Sequence, residues 1–395
     1  MIRHTLQWVL PAVMAVSMCL ADCAVAAAQQ PHAVTEPDIW LGSYARMDKS
    51  PWRAIADAPE MFQPGASWET LARHVKVVKF PPGNIVLATD EALRSAFADL
   101  KRRHIALALE VSLLTKTDQC RQKSEAYLDS LQALQNVVDK MHRNGGDLRY
   151  IAMDEPFYYG HAHKAPDSCY DSAAAIAQRI AENAKLVRRV FPLVQIGDIE
   201  VVTASRPWVD ELAEWTDAYR KAMGEPLAFL HVDVAWSQPA MDNLKPLAKV
   251  LSERNIPFGI IYNADGNVTS DQEFVQSAID HFTEIESALG AHPNQAIFQT
   301  WVPYPSHMLP EDRPGTLANL ALQYLRPRTP IALTREGDAI SGRVTDLHGN
   351  PVANAKVDLR ALDLEARMGL TDRTLTGIVP QGADTAIIGI QANLE

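Results

Sequence analysis

Cysteine and positive charge are the two things this chain of 395 residues has little of. It carries 4 cysteines, and 37 Lys and Arg stand against 48 Asp and Glu, for a formal net charge of -11. Cys19 and Cys23 fall within the segment 1–28. That leaves Cys120 and Cys169, so a small scaffold stapled by many bridges is excluded. The shortage of basic residues argues against a nucleic-acid partner, because phosphate binding needs a basic face that releases counterions. An acidic surface suits neutral or cationic substrates instead. Long hydrophobic runs are also lacking. The apolar stretch Trp8–Ala21 is shorter than the roughly 20 residues a membrane-spanning helix needs.

What is present begins with a leader. Arg3 and His4 precede that apolar run, and small residues follow from Ala24 to Ala28. The order basic, apolar, small is that of a secretory signal peptide over 1–28. It predicts a mature start near Gln29, a secreted or periplasmic protein, and no integral membrane segment after cleavage. The alternative reads Leu20-Ala21-Asp22-Cys23 as a lipoprotein signal lipidated at Cys23, although Asp22 is unfavourable there. In an oxidising compartment Cys120 and Cys169 are expected to pair as a disulfide. The alternative is two free thiols.

From Ile39 onward, short β-rich runs alternate with amphipathic stretches, the order of repeated βα units around a parallel sheet. Strands are expected at Ile39–Ser43, Val75–Phe80, Ile105–Val111, Leu148–Asp154, Val194–Ile199, Leu227–Val234, Phe258–Tyr262 and Ala296–Trp301. Their near-continuous apolar character fits strands covered on both faces. Between them, stripes such as Leu93, Phe97, Leu100 and Leu131, Leu134, Val138, Met141 recur at helical spacing. Eight such units predict a (β/α)8 barrel over 36–328, the open doubly wound sheet being the alternative. No glycine-rich fingerprint follows the first strand, which counts against a dinucleotide site and leaves no cofactor implied.

After Arg326-Pro327-Arg328 the helical stripes stop, and 331–395 reads as strands and turns. Ile340–Val344, the turn His348-Gly349-Asn350-Pro351-Val352, and Ala355–Leu359 read as strand, tight turn, strand. This stretch resembles the carboxypeptidase-regulatory-like domain, which implies a small β-sandwich-like accessory segment without a catalytic role.

In (β/α)8 enzymes the active site lies at the C-terminal ends of the strands. Here those ends are rich in carboxylates: Glu110 on the third, Asp154 and Glu155 on the fourth, Asp198 and Glu200 on the fifth, Asp233 on the sixth. A single acid at a strand end commonly caps the next helix or bonds loop amides. Several on consecutive strands repel one another and lose hydration, and chemistry is the commonest reason to retain them. Asp198 and Glu200 alternate along one strand and so face the same side. Glycoside hydrolysis needs a protonated carboxylic acid for the leaving oxygen and an ionised carboxylate that attacks the sugar or activates water.

Asp154-Glu155-Pro156 is similar to the Asn-Glu-Pro that ends the fourth strand in a large glycoside-hydrolase clan. The resemblance implies that Glu155 is the acid/base and that Asp154 contacts the sugar. That clan places its nucleophilic Glu at the end of strand seven, where this chain has Tyr262-Asn263-Ala264-Asp265. The partner carboxylate must come from elsewhere. The expected order is Glu200, then Asp233, then Asp265.

Aromatic residues flank these acids: Tyr158 and Tyr159, Trp236, Tyr262, then Trp301 and Tyr304. Flat rings bind the apolar faces of sugars, though rings also pack loops over a barrel mouth. The expected substrate is an oligo- or polysaccharide, with Tyr158, Tyr159, His161, Asp198, His231, Trp236, Tyr262, Asn263, Trp301, Glu110 and Lys79 as further contacts. His161 and His163 could hold a divalent ion, but loop histidines more often bond locally. Acids at the ends of strands three, four and five also suit Mg²⁺. This makes an enolase-like barrel enzyme, with Lys79 as its one candidate lysine, the second reading. A non-catalytic carbohydrate-binding protein is the third. Oligomeric state is not encoded in any of these features.

Overall fold

The computed structural model describes residues 37–42, 55, 57–115, 128–164, 170–203, 206–236, 240–289 and 293–325, with further strands within 331–389. The expected leader over 1–28 and both Cys120 and Cys169 lie outside the described residues.

Eight parallel strands close on themselves in sequence order. They are β1 (Asp38–Gly42), β2 (Val75–Phe80), β3 (Ala106–Glu110), β4 (Leu148–Asp154), β5 (Gln195–Val202), β6 (Leu230–Val234), β7 (Phe258–Ile261) and β8 (Gln295–Phe298). β1 pairs with β8, Trp40 beside Ile297 and Leu41 beside Phe298, which seals the barrel. The chain is a (β/α)8 barrel. β5 runs to Val202, beyond its expected end at Ile199, and β8 stops at Phe298.

The helices are α1 (Glu69–Ala72), α2 (Pro82–Leu87), α3 (Asp90–Arg103), α4 (Leu131–Arg143), α5 (Ala173–Val190), α6 (Trp208–Met223), α7 (Leu244–Glu253), α8 (Asp271–Thr283) and α9 (Leu317–Leu325). Four begin at a hydroxyl that accepts from an orphan amide of the first turn: Thr89 for α3, Ser130 for α4, Ser172 for α5 and Ser270 for α8. Such caps are typically worth about 1 kcal/mol each. No helix among the described residues is long and apolar enough to cross a membrane.

Two separate sets of buried side chains fix which face of each strand looks inward. Trp40, Val77, Ala108, Ala152, Ile199, Phe229, Ile261 and Ile297 fill the lumen. Ile39, Leu41, Val78, Leu109, Ile151, Met153, Ile196, Val202, Val232, Tyr262 and Phe298 belong to the outer core beneath the helices. Rings occupy the lumen closely, with Phe229 stacked on His231 at 4.2 Å and Trp40 4.8 Å from each. Gly197 makes room for them: a Cβ there would come within 2.5 Å of the Phe229 ring.

By the period-two alternation of strands, the residues that end the lumen at its C-terminal mouth are Lys79, Glu110, Asp154, Val201, Asp233, Asn263 and Gln299. Asp198, Glu200 and Tyr262 have the opposite parity and point out toward the helices.

C-terminal to α9, β9 (Ile331–Glu336), β10 (Ala339–Val344) and β13 (Ala386–Gly389) form one antiparallel sheet. β11 (Lys356–Arg360) pairs with β12 (Thr374–Ile378) in another. The strands at 339–344 and 356–360 therefore lie in different sheets, not in one hairpin.

Candidate active site

Asp154 is the last residue of β4, and Glu155 leaves the strand with φ 49°, in the left-handed region. For a residue with a side chain that conformation costs about 1–2 kcal/mol, and it persists where neighbouring bonds over-determine it. Those bonds are present. The Glu155 amide donates to Ile199 O at 2.9 Å, and the Tyr159 amide donates to Glu155 O at 3.1 Å. The next two amides, Phe157 and Tyr158, donate to the two carboxylate oxygens of Glu200 at 2.7 and 2.8 Å. A π-helical turn, Tyr158–Ala162, follows, a form of turn found often at functional sites.

The Glu155 side chain is 9% exposed, and among the described residues its carboxyl has no hydrogen-bond partner. Burial pushes its pKa well above the usual carboxylate range, and the charges of Asp154, Asp233, Glu110 and Asp198 push the same way. An acid so placed keeps its proton.

Asp233, half-buried at the end of β6, has a different environment. Burial raises its pKa, the Asn263 amide lowers it, Asp154 raises it, Lys79 lowers it and Glu110 raises it, for a value of about 7. The Asn263 Nδ2–H donates to Asp233 Oδ1 at 3.4 Å. Below them Lys79, fully buried on β2, is ion-paired to Glu110 on the neighbouring strand β3. The structure thus brings together Lys79, Glu110, Asp154, Glu155, Asp233 and Asn263 at one mouth.

Other expected site residues are placed elsewhere. Glu200, the first expected partner for Glu155, points outward and is spent on the Phe157 and Tyr158 amides. Asp198 points the same way, accepting from the Trp215 indole at 2.6 Å beneath α6. Burial drives the pKa of both well above the carboxylate range, and Asp198 adds to the effect on Glu200. The lumen-facing positions of β5 belong to Gly197, Ile199 and Val201, so neither acid reaches a substrate in the mouth. The same fact undoes the Mg²⁺ cradle, because the acids of strands three, four and five do not converge. Among the described residues no three His, Cys, Asp or Glu side chains are grouped to hold a metal ion.

Tyr262 lies behind the barrel wall, its hydroxyl donating to Glu286 at 2.6 Å. Trp236 offers no face to a sugar: it is 4% exposed and stacks on His281 at 3.9 Å. His231 is sealed into the floor with Nε2 at 2.7 Å from Gln295 Oε1, and burial lowers its pKa to about 3. His161 sits with Nδ1 2.6 Å from the Asp171 carbonyl, and His163 with Nδ1 3.3 Å from the Tyr158 hydroxyl. Each is held locally. Asp265 lies beside His281, at 3.7 Å.

Rings with accessible surface follow β4 and β8. Tyr158 and Tyr159 are half-buried and meet edge to face at 5.0 Å. Burial and then the Glu155 charge raise the Tyr158 pKa, and Arg206 opposes them. Trp301, in the loop after β8, is 41% exposed. Sequence reasoning missed Arg206, which pairs with Glu211 and donates to Ala162 O at 3.1 Å, bracing the π-turn. It also missed Gln299 at the end of β8. Strand parity would have identified Gln299, whereas nothing local marks Arg206.

No family model matches the chain, and no curated protein matches it by sequence. Several solved structures are similar to it. One is an endo-1,4-β-xylanase from Caldicellulosiruptor owensensis, at 9% identity over 70% of this chain and 88% of that one, with a TM-score of 0.43. Another is AbfB, a family 51 α-L-arabinofuranosidase from Bifidobacterium longum, at 12% identity over 87% and 94% with a TM-score of 0.41. A third is a glucosidase from Croceicoccus marinus, at 11% identity over 79% and 76% with a TM-score of 0.39. The assignment of a closed barrel stands on the strand pairing itself.

Proposed function

We propose that this barrel is an exported glycoside hydrolase in which Glu155 donates a proton to the leaving oxygen and Asp233 is the ionised partner. The reading rests on one observation: two carboxyls share the mouth, and Asp233 has beside it an amide donor, Asn263, that favours its ionised form. Glu155 is buried among like charges with no donor among the described residues. Asp233 has the Asn263 amide and the Lys79 charge on the side of ionisation. Pairs of acids separated in this way divide the work of acid and base. β5 stands between β4 and β6, so the two backbones are about 10 Å apart, two strand spacings. That leaves room for a sugar ring between them. Tyr158 and Tyr159, just after Glu155 in the chain, supply flat apolar surface. Asp233 replaces Glu200 as the partner because it faces the lumen.

The charge of the mouth narrows the substrate. Among the described residues of the mouth, Lys79 is already paired with Glu110, so a neutral sugar is preferred to an anionic one. The test is a panel of neutral and uronic-acid polysaccharides, with release of reducing ends as the readout. Release from at least one neutral glycan is expected. Binding to glycans without release would favour the non-catalytic reading.

A further inference from the structure

Trp236 was expected to be a sugar platform, yet it is buried, with its N–H and one ring face engaged inside the protein. The indole N–H donates to Asn263 Oδ1, and the ring lies flat on His281, at 3.9 Å and 10°. His281 in turn donates from Nδ1 to the Asn263 backbone carbonyl at 2.8 Å. Asn263 is 1% exposed, so its amide has no solvent with which to exchange partners.

The chemistry of these groups fixes a direction. An indole nitrogen donates only, whereas an Asn amide can present either its oxygen or its nitrogen. Facing Trp236 the amide must show oxygen, which turns the Nδ2–H toward Asp233, 3.4 Å away. A flipped amide would set oxygen against the Asp233 carboxylate, and a donor bonded to the charged form would become a repulsive dipole.

We propose that Trp236 is a positioning residue: its indole locks the Asn263 amide so that Asp233 is oriented and ionised for its part in the reaction. The mechanistic part of this inference rests on the reading of Asp233 given above, but the lock itself does not. Among the described residues, the other charged groups facing Asp233 are Asp154 and Glu155 from the end of β4, Glu110 from β3 and Lys79 from β2. Trp236 is linked to Asp233 through Asn263, whose amide accepts from the indole N–H and donates to the carboxylate at 3.4 Å.

The experiment is a carboxyl ¹³C NMR titration of the full-length protein labelled at aspartate, without substrate, the Asp233 signal being identified by its loss in Asp233→Asn. Trp236→Phe keeps the stacked ring and removes the donor. It is expected to raise the Asp233 titration midpoint by about one unit, the size of a lost hydrogen bond to a charged group. Asn263→Ala is expected to raise it at least as far, and the double variant no further. An unmoved midpoint in Trp236→Phe overturns the proposal. A second readout leaves Trp236 intact: the indole N–H proton resonance should move upfield in Asn263→Ala, and a resonance that stays put also overturns it. A shifted titration in a protein inactive on every glycan would remove the hydrolase reading alone. An active enzyme with an unshifted titration would remove the lock alone.

Discussion

Glu155→Gln is expected to slow hydrolysis of an unactivated glycan by about 10²–10⁴-fold, the usual worth of a positioned proton donor. The amide matches the carboxyl in size, adopts the same left-handed backbone and removes one member of a crowded acidic group. Folding and substrate binding are therefore expected to survive, so KM changes little while kcat falls. The size of the effect depends on the leaving group. A nitrophenyl glycoside departs without much help from an acid, so its turnover is expected to fall far less than that of the glycan. Parallel kcat measurements on the two substrates check this. Equal losses on both would show that Glu155 does something other than protonate the leaving oxygen.

Asp233→Asn is expected to reduce turnover at least about 10²-fold on either substrate, because attack or water activation needs the ionised partner whatever the leaving group. The same change is expected to stabilise the fold, and the sign follows from linkage. The pKa of Asp233 is raised to about 7 in the folded protein, against roughly 3.9 for an unfolded aspartate. Between those values the unfolded chain ionises while the folded one holds its proton, so stability falls as pH rises through that window. Above about 7 the penalty is constant. Asparagine cannot ionise and escapes it. Thermal unfolding of the variant and the parent should nearly coincide at pH 4 and separate in favour of the variant by pH 8. A variant less stable at pH 8 than at pH 4, relative to the parent, would contradict the assigned burial of Asp233.

The barrel was legible in the sequence because alternation of strands with helices is a long-range pattern that survives errors at element ends. The position of Glu155 was legible too, at the end of a strand and beside a proline. Which other acids face the lumen was not, and β5 shows why. Ile196, Asp198, Glu200 and Val202 share one face, Gly197, Ile199 and Val201 the other, and both faces are buried. A strand covered on both sides carries no polar-apolar alternation to say which face is the lumen. Gly197, needed where Phe229 crowds the lumen, was the one local hint. Tyr262 was misplaced for the same reason, one residue out of step with Asn263. Trp236 reflects a different gap: composition shows a ring near an acid but not whether its face is already covered.

The account turns on Asp233 losing its proton while Glu155 keeps one. The pH dependence of kcat/KM on a hydrolysed glycan reads this directly, since its limbs report the acid and base of the free enzyme. The expected profile is a bell whose rising limb lies near the pH of about 7 at which Asp233 ionises, followed by a fall where Glu155 loses its proton. A rate already maximal at pH 5 that declines steadily toward pH 8 would contradict it.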